Sequence, residues 1–222
     1  MTPAPAIDPD LLAPLAARAA GLVRDGRRAV LGLAGAPGAG KTTLAEALVA
    51  ALRRTPPDGW GPDGVAHLPM DGFHLADVQL DRLGLRDRKG APETFDGRGF
   101  VAVLDRLRRE TARTIYAPGF ERDLEQPVAA AVAIGAEARL VVTEGNYLLL
   151  DEEPWSEVRA LLDEVWFVDV SDELRQQRLV TRHVEFGKAA DDAREWALGP
   201  DQANADRVLA ARDRADLVVT LG

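Results

Sequence analysis

The sequence predicts one α/β domain in which helices cover both faces of a mainly parallel, five-stranded β-sheet. Three observations support this fold class. Short apolar segments of strand length alternate with helical segments along the chain, as in parallel sheets. Three of the strand segments end in polar motifs, where such sheets bind ligands. The 222 residues, of which 46% are hydrophobic and 28% charged, suit a folded domain with a substantial core.

The elements of the first half are predicted from apolar periodicity and from glycine and proline. Leucines at helical spacing indicate the first helix, and the continuous apolar run that follows is typical of a buried strand. In chain order we expect a helix at 8–24, a strand at 28–34, a glycine-rich turn at 35–40, a helix at 41–54, a loop at 56–64 and a strand at 65–70.

The second half contains three further strands and two segments that leave the sheet. Its elements are a polar, irregular segment at 75–98, a helix at 100–111, a hairpin-like excursion at 114–134, a strand at 139–143, a helical segment at 157–162, a strand at 164–170, helices at 172–186 and 201–211, and a strand at 217–220. The apolar strand at 139–143 is typical of a fully buried position in the sheet.

Composition and charge exclude several classes of function. Cysteine is absent, which excludes disulfides, thiolate zinc sites and a cysteine nucleophile. The net charge of −9 (27 − 36) argues against broad binding of nucleic acid or of an anionic membrane. No apolar run approaches the roughly 20 residues of a membrane span, and Met1 to Asp10 lack the pattern of a secretory signal. We therefore expect a soluble, cytoplasmic protein.

The turn after the first strand matches the phosphate-binding pattern G-x-x-x-x-G-K-[ST] at every position. Its glycines let successive N–H groups point at phosphate oxygens, and the next helix directs its N-terminus at the same anion. The lysine of the pattern reaches the β- and γ-phosphates, and the hydroxyl after it can bind Mg²⁺. The residues predicted to bind ATP are Gly35, Ala36, Pro37, Gly38, Ala39, Gly40, Lys41, Thr42 and Thr43.

Two carboxylates follow predicted strands at the same edge of the sheet. Asp71 comes after the second strand and could accept the proton of an attacking hydroxyl, although Asp-Gly pairs are also common in turns. Glu144 follows the most apolar strand and is expected to bind Mg²⁺ together with Thr42. Asp169 is a rival metal ligand, but Ser171 after it reads as a helix cap, so we predict a structural role for Asp169.

Together these motifs resemble the P-loop kinase superfamily of uridine kinase, phosphoribulokinase and type I pantothenate kinase. The resemblance is strongest to the bacterial nucleoside/nucleotide kinase-like branch, which includes proteins proposed as fructose-transport-system kinases. The matching segments are 35–42, 70–75, 88–96, 116–122, 142–147 and, more weakly, 178–182. The resemblance implies a P-loop NTPase α/β/α sandwich spanning 1–222, with acceptor-binding excursions at about 72–98 and 114–134 and a lid at about 175–200.

The resemblance also implies roles for individual residues. Asp71 corresponds to the catalytic carboxylate and Glu144 to the acidic residue of the Glu-Gly turn. Arg178 and Arg182 correspond to lid arginines that act in catalysis with Lys41 by contacting the phosphates. The residues expected on the acceptor side are Phe73, His74, Arg88, Lys89, Tyr116, Glu121 and Arg122.

The sequence therefore predicts an ATP- and Mg²⁺-dependent kinase acting on a hydroxyl of a small polar metabolite. A sugar or polyol is the first candidate acceptor, pantothenate the second and a nucleoside the third. An alternative is a regulatory ATP-binding module without an acceptor, against which the segment 89–96 argues. Family members are often dimers, so the resemblance also allows a homodimer.

Overall fold

The computed structural model describes residues 7–222 and contains seven strands and seven α-helices in that range. The strands are β1 (Ala29–Ala34), β2 (Val65–Pro69), β3 (Ile115–Glu121), β4 (Gln126–Ile134), β5 (Leu140–Gly145), β6 (Glu164–Asp169) and β7 (Leu217–Thr220). The helices are α1 (Pro9–Ala20), α2 (Lys41–Arg54), α3 (Asp77–Leu83), α4 (Gly97–Arg109), α5 (Asp172–Glu185), α6 (Ala190–Leu198) and α7 (Pro200–Leu209).

Five strands form the central sheet in the order β2–β5–β1–β6–β7. Every neighbouring pair is parallel, so the carboxyl ends of all five strands lie along one edge. β1 is in the middle, and both β1 and β5 are buried along their whole length. The fold class predicted from the sequence is confirmed.

The sheet separates two hydrophobic cores, because successive side chains of a strand point to opposite faces. Val30 and Ala34 of β1 belong to the core that includes α4. Leu31 and Leu33 belong to the core that includes α1 and α2. The two layers of helices follow from this alternation in the central strand.

Most elements agree with the sequence predictions, and the differences have local causes. α4 begins at Gly97, ahead of the predicted start, because the Asp96 side chain caps it by accepting a hydrogen bond from the Gly99 amide at 2.8 Å. The segment predicted as a helix at 157–162 forms two short 3₁₀ turns, Trp155–Glu157 and Arg159–Leu161. α3 and α6 were not predicted, since they have seven and nine residues, too few to show a clear period.

The N-terminal segment, for which the sequence predicts no secretory signal, includes residues 1–6, which lie outside the described residues. No helix within residues 7–222 combines the length and the apolarity that a membrane crossing requires.

Candidate active site

A cleft of about 520 Å³ lies at the carboxyl edge of the sheet. Three neighbouring strands contribute to its wall: the segment after β1 supplies the phosphate-loop residues, the segment after β2 supplies Asp71, and the end of β5 supplies Glu144, since this strand extends beyond its predicted end at residue 143. The predicted convergence of these three polar motifs is confirmed. The excursions and the C-terminal helices provide the other walls.

The phosphate loop is held in its shape by glycines that no other residue could replace without strain. Gly38 and Gly40 have φ angles of +80° and +96°, which L side chains rarely adopt. A Cβ at Gly38 would lie 2.8 Å from the carbonyl oxygen of Arg175 in α5. α2 starts at Lys41 without a capping side chain, so its first amides remain available to an anion.

Lys41 points across the loop. Its Nζ donates hydrogen bonds to the Ala36 carbonyl at 3.0 Å and to Asn146 Oδ1 at 2.6 Å. Burial lowers the pKa of Lys41 below its ordinary value, and the nearby carboxylates of Glu144 and Asp71 only partly offset this effect. The ammonium group is therefore held in a poorly hydrated position, where an added negative charge would stabilise it.

Glu144 and Thr42 form the candidate Mg²⁺ site. The Thr42 hydroxyl donates a hydrogen bond to Glu144 Oε1 at 3.2 Å, and Glu144 is 4% exposed. Burial, together with the charge of Asp71, raises the pKa of Glu144. A buried carboxylate beside a hydroxyl is the type of oxygen pair that Mg²⁺ accepts alongside phosphates and water. These two residues therefore fit the predicted ion.

Asp71 lies in the 3₁₀ turn after β2 and faces the same cleft. Its Oδ2 accepts a hydrogen bond from Arg122 Nη2 at 2.6 Å. Burial by itself would raise the pKa of Asp71, but the positive charges around it, which are those of Arg122, Arg182 and Lys41 and that of His74 whenever its ring is protonated, outweigh burial and lower it. Asp71 is therefore ionised at neutral pH, as a proton acceptor must be.

The β3–β4 hairpin packs directly on the turn that holds Asp71. A Cβ at Gly72 would lie 2.2 Å from the carbonyl oxygen of Pro118 in β3. Because this contact involves two backbones, neither can move without displacing the other. Gly72 thus fixes the distance between Asp71 and the hairpin.

Gly72→Ala tests this contact. We expect the free energy of unfolding to fall by about 1–3 kcal/mol because the site would be overpacked, and kcat/KM to fall because the hairpin and Asp71 would move apart. Thermal unfolding and steady-state kinetics measure both effects. Gly61→Ala is the control, since a Cβ at Gly61 meets nothing within 4 Å. Equal behaviour of the two variants would contradict the role of Gly72.

His74 connects Asp71 to the aromatic part of the cleft. Its Nδ1 donates to the Asp71 carbonyl at 2.9 Å, because a carbonyl oxygen can only accept. Burial lowers the pKa of His74, so the ring is neutral and Nε2 carries a free lone pair. The His74 ring lies 3.9 Å from Phe95 and 5.0 Å from Phe120, measured between centroids.

The segment predicted as a lid, at about 175–200, contains most of α5 and all of α6, and α7 follows it. Arg178 and Arg182 of α5 line the cleft, and Arg178 Nη1 lies 3.5 Å from the position of a Cβ on Gly40. Among residues 7–222 neither arginine forms a salt bridge with a carboxylate. His183 Nε2 donates to Asp201 Oδ2 at 2.7 Å and so links α5 to α7. Two unpaired cations therefore face the phosphate loop.

Four of the predicted acceptor residues lie outside the cleft lining. Phe73 is buried in the core against Phe100. Arg88 points to Glu93 at the surface. Tyr116 is 61% exposed and lies four residues, about 13 Å along a strand, from Phe120. Glu121 points away from the cleft, because it alternates with Phe120 and Arg122.

His74, Lys89 and Arg122 are the predicted acceptor residues that line the cleft. Sequence reasoning missed several other lining residues, which are Phe95, Phe120, Glu125, Asn146, His183, Phe186, Lys188, Trp196, Asp201 and Asn204. Phe120 and Asn146 lie in the segments 116–122 and 142–147, which resemble the kinase family, so the sequence contained a signal for both. The residues from α6 and α7 carry no local signal, since only the tertiary fold brings them to the cleft.

The remaining predicted phosphate-loop residues divide between the cleft lining and the structure behind it. Pro37 and Thr43 line the cleft. A Cβ at Gly35 would lie 2.6 Å from the Val168 carbonyl oxygen, and Ala39 packs in the core. Asp169 accepts hydrogen bonds from Arg212 at 3.1 and 3.2 Å, in agreement with a structural role.

Comparisons with known proteins identify relatives along most of the chain. An ATP-dependent kinase-like protein from Aspergillus versicolor is 43% identical over 152 residues, which cover 64% of this chain and 88% of that protein. A Schizosaccharomyces pombe protein (strain 972), whose name proposes a uridine kinase, is 34% identical over 179 residues, which cover 79% of this chain and 74% of that protein.

One solved structure is similar in both sequence and fold. It is a proposed fructose transport system kinase from Silicibacter sp. TM1040, with 38% identity and a TM-score of 0.81, and the match covers 92% of this chain and 98% of that one. The model of the phosphoribulokinase / uridine kinase family matches residues 30–220. Because this model covers most of the chain and the structure has the P-loop kinase fold with its phosphate loop, this chain belongs to the phosphoribulokinase / uridine kinase family.

Proposed function

We propose that this protein is an ATP-dependent kinase that transfers the γ-phosphoryl group of ATP to a hydroxyl of a small metabolite. One observation carries the proposal. The phosphate loop with Lys41, after β1, and the ionised carboxylate of Asp71, after β2, face the same cleft. A module that only binds or hydrolyses ATP has no need for the second wall of aromatic and charged side chains.

The donor side holds and neutralises the triphosphate. Lys41 would exchange its bonds to Asn146 and Ala36 for β- and γ-phosphate oxygens. Arg178 and Arg182 would contact the transferring group, because a planar guanidinium binds phosphoryl oxygens in pairs. Closure of their helices would exclude water and so limit hydrolysis.

Thr42 and Glu144 would hold Mg²⁺ beside the phosphates. When bound, the ion supplies positive charge that offsets the charge on the β- and γ-phosphate oxygens. The raised pKa of Glu144 supports this assignment, since a cation at this place would favour the ionised carboxylate.

The acceptor side orients one hydroxyl and takes its proton. The acceptor oxygen attacks the γ-phosphorus, the bond from that phosphorus to the β-γ bridging oxygen breaks, and ADP leaves. Asp71 accepts the hydroxyl proton, and the neutral His74 ring can accept a second hydrogen bond at Nε2. Most of the rate enhancement comes from positioning and electrostatics.

Glu144→Gln tests the metal site separately from the fold. We expect kcat to fall by about 100-fold, equivalent to about 3 kcal/mol, because one metal ligand is lost. Without ATP, the variant should be at least as stable as the native protein at pH 8. The pKa of Glu144 is raised by folding, so its ionised form destabilises the folded state above that pKa.

The measurements are steady-state kinetics over a range of Mg²⁺ concentrations and thermal unfolding with and without MgATP. Glu46→Gln removes an exposed carboxylate from α2 and is the control. Native turnover at native Mg²⁺ dependence in Glu144→Gln would remove Glu144 from the metal site.

The proposed function itself is tested by ADP release with and without a panel of sugars, polyols, pantothenate and nucleosides. A kinase predicts release that one class of acceptor stimulates, and a phosphorylated product of that acceptor. Slow ADP release that no member of the panel changes would favour the regulatory module instead.

A further inference from the structure

The part of the cleft nearest the β3–β4 hairpin has an unusual set of side chains. We call this part the acceptor half, and it consists of His74, Lys89, Phe95, Phe120, Arg122 and Glu125. Its aromatic rings provide an apolar surface. Its polar side chains are two cations, one carboxylate and the neutral His74, with no hydroxyl or amide side chain among the six.

The two cations both lie close to one aromatic ring. Lys89 Nζ lies 5.7 Å and the Arg122 guanidinium carbon 5.1 Å from the centre of the Phe120 ring, within the range of cation–π attraction. Lys89 is fixed there by Asp77 Oδ1 at 2.9 Å and the Glu125 carbonyl at 2.7 Å. Each cation thus has a carboxylate partner, but Asp77, the partner of Lys89, lies outside the cleft lining, whereas Asp71, the partner of Arg122, lies within it.

Arg122 also forms an ion pair with Asp71, the carboxylate that the reaction needs as its base. Its hydrogen bond to Asp71 at 2.6 Å stabilises the ionised form of Asp71 and weakens it as a base. A neutral acceptor would have to compete with this ion pair. An acceptor with its own negative group could replace Asp71 as the partner of Arg122 and so leave Asp71 facing the acceptor hydroxyl.

We propose that the acceptor is an anionic hydroxy compound, whose carboxylate or phosphate group binds Arg122 and Lys89 while its hydroxyl faces Asp71. This inference rests on the proposed kinase function and narrows its acceptor class. The aromatic face of Phe120 and Phe95 would contact the carbon skeleton between the two groups. The atoms of the transfer step are those given above, and the anionic group is unchanged by it.

Matched pairs of acceptors that differ in charge test the proposal. Pantothenate is compared with pantothenol, gluconate with glucitol, and fructose 6-phosphate with fructose. We expect kcat/KM for the charged member of the accepted pair to exceed that of its neutral counterpart by about 10- to 100-fold, the effect of one charge-assisted hydrogen bond. The carboxylate and phosphate pairs identify which anion is bound.

Each outcome decides between the two proposals. Phosphorylation of neutral members at equal or higher kcat/KM would overturn the anionic acceptor and leave the kinase function in place. If no member of any pair is phosphorylated while a nucleoside is, the anionic acceptor fails and the kinase function stands. If no acceptor of the pairs or of the wider panel is phosphorylated while ATP still binds, both proposals fail.

Arg122→Gln separates anion binding from a structural effect. We expect KM for the charged acceptor to rise by about 10- to 100-fold, the preference for charge to shrink, and the thermal shift caused by MgATP to stay native. Arg98→Gln, an exposed arginine on α4 outside the cleft, is the control. A native charge preference in Arg122→Gln would overturn the assignment of Arg122.

Discussion

Lys41→Ala is expected to reduce kcat/KM by about 100- to 10,000-fold while the protein remains folded. The ammonium group would contact two phosphate oxygens, and each charge-assisted bond contributes about 1.5–3 kcal/mol. The loss of this charge should not weaken the fold. Burial lowers the pKa of Lys41, so its charged form opposes folding and is lost as the pH rises through that pKa.

Steady-state kinetics and thermal unfolding measure the two effects, and the shift in unfolding temperature caused by MgATP should decrease with the activity. Arg54→Ala is the control, because it removes an exposed cation from the opposite end of the same helix, about 20 Å away. If Lys41→Ala kept native turnover, the phosphate-loop assignment would be wrong.

Asp71→Asn is expected to reduce kcat by about 100- to 10,000-fold, the usual contribution of a positioned base, with little change in the stabilisation by MgATP. Asparagine keeps the shape of the side chain and can still accept a hydrogen bond from Arg122, but it cannot take a proton. Because the pKa of Asp71 is lowered, native activity should not depend on its titration near neutral pH.

Single-turnover kinetics with bound ATP isolate this step from product release. Asp81→Asn is the matched control, since that carboxylate is exposed and faces Arg86 at 3.6 Å. Full transfer activity in Asp71→Asn would remove Asp71 as the base and require another proton acceptor.

The sequence predicts the sheet well because its central strands contain short apolar runs, which are typical of strands buried on both faces of a parallel sheet. β5 is the clearest case, with all six residues buried. α6 is the opposite case. It begins without a capping side chain and buries only Ala193 and Ala197, so its sequence resembles a charged loop. Its formation depends on packing against α5 and α7.

The candidate site divides in the same way. The phosphate loop lies in one continuous segment, so its residue spacing defines its geometry, as in Gly38 to Thr42. The acceptor side depends on how a hairpin rests on a turn. Nothing local distinguishes Phe120, which lines the cleft, from Tyr116, which is exposed. The contact between Gly72 and Pro118 that decides this joins residues 46 positions apart, beyond the reach of any spacing rule.

The most direct test of the account follows the γ-phosphoryl group itself. The protein is mixed with γ-labelled ATP, Mg²⁺ and the acceptor panel, and the labelled products are separated and identified. If the phosphate cradle and Asp71 act together, the label will appear on a hydroxyl oxygen of an organic acceptor, and this product will vanish in Asp71→Asn. Label found only in inorganic phosphate, with every acceptor and in both proteins, would contradict the account.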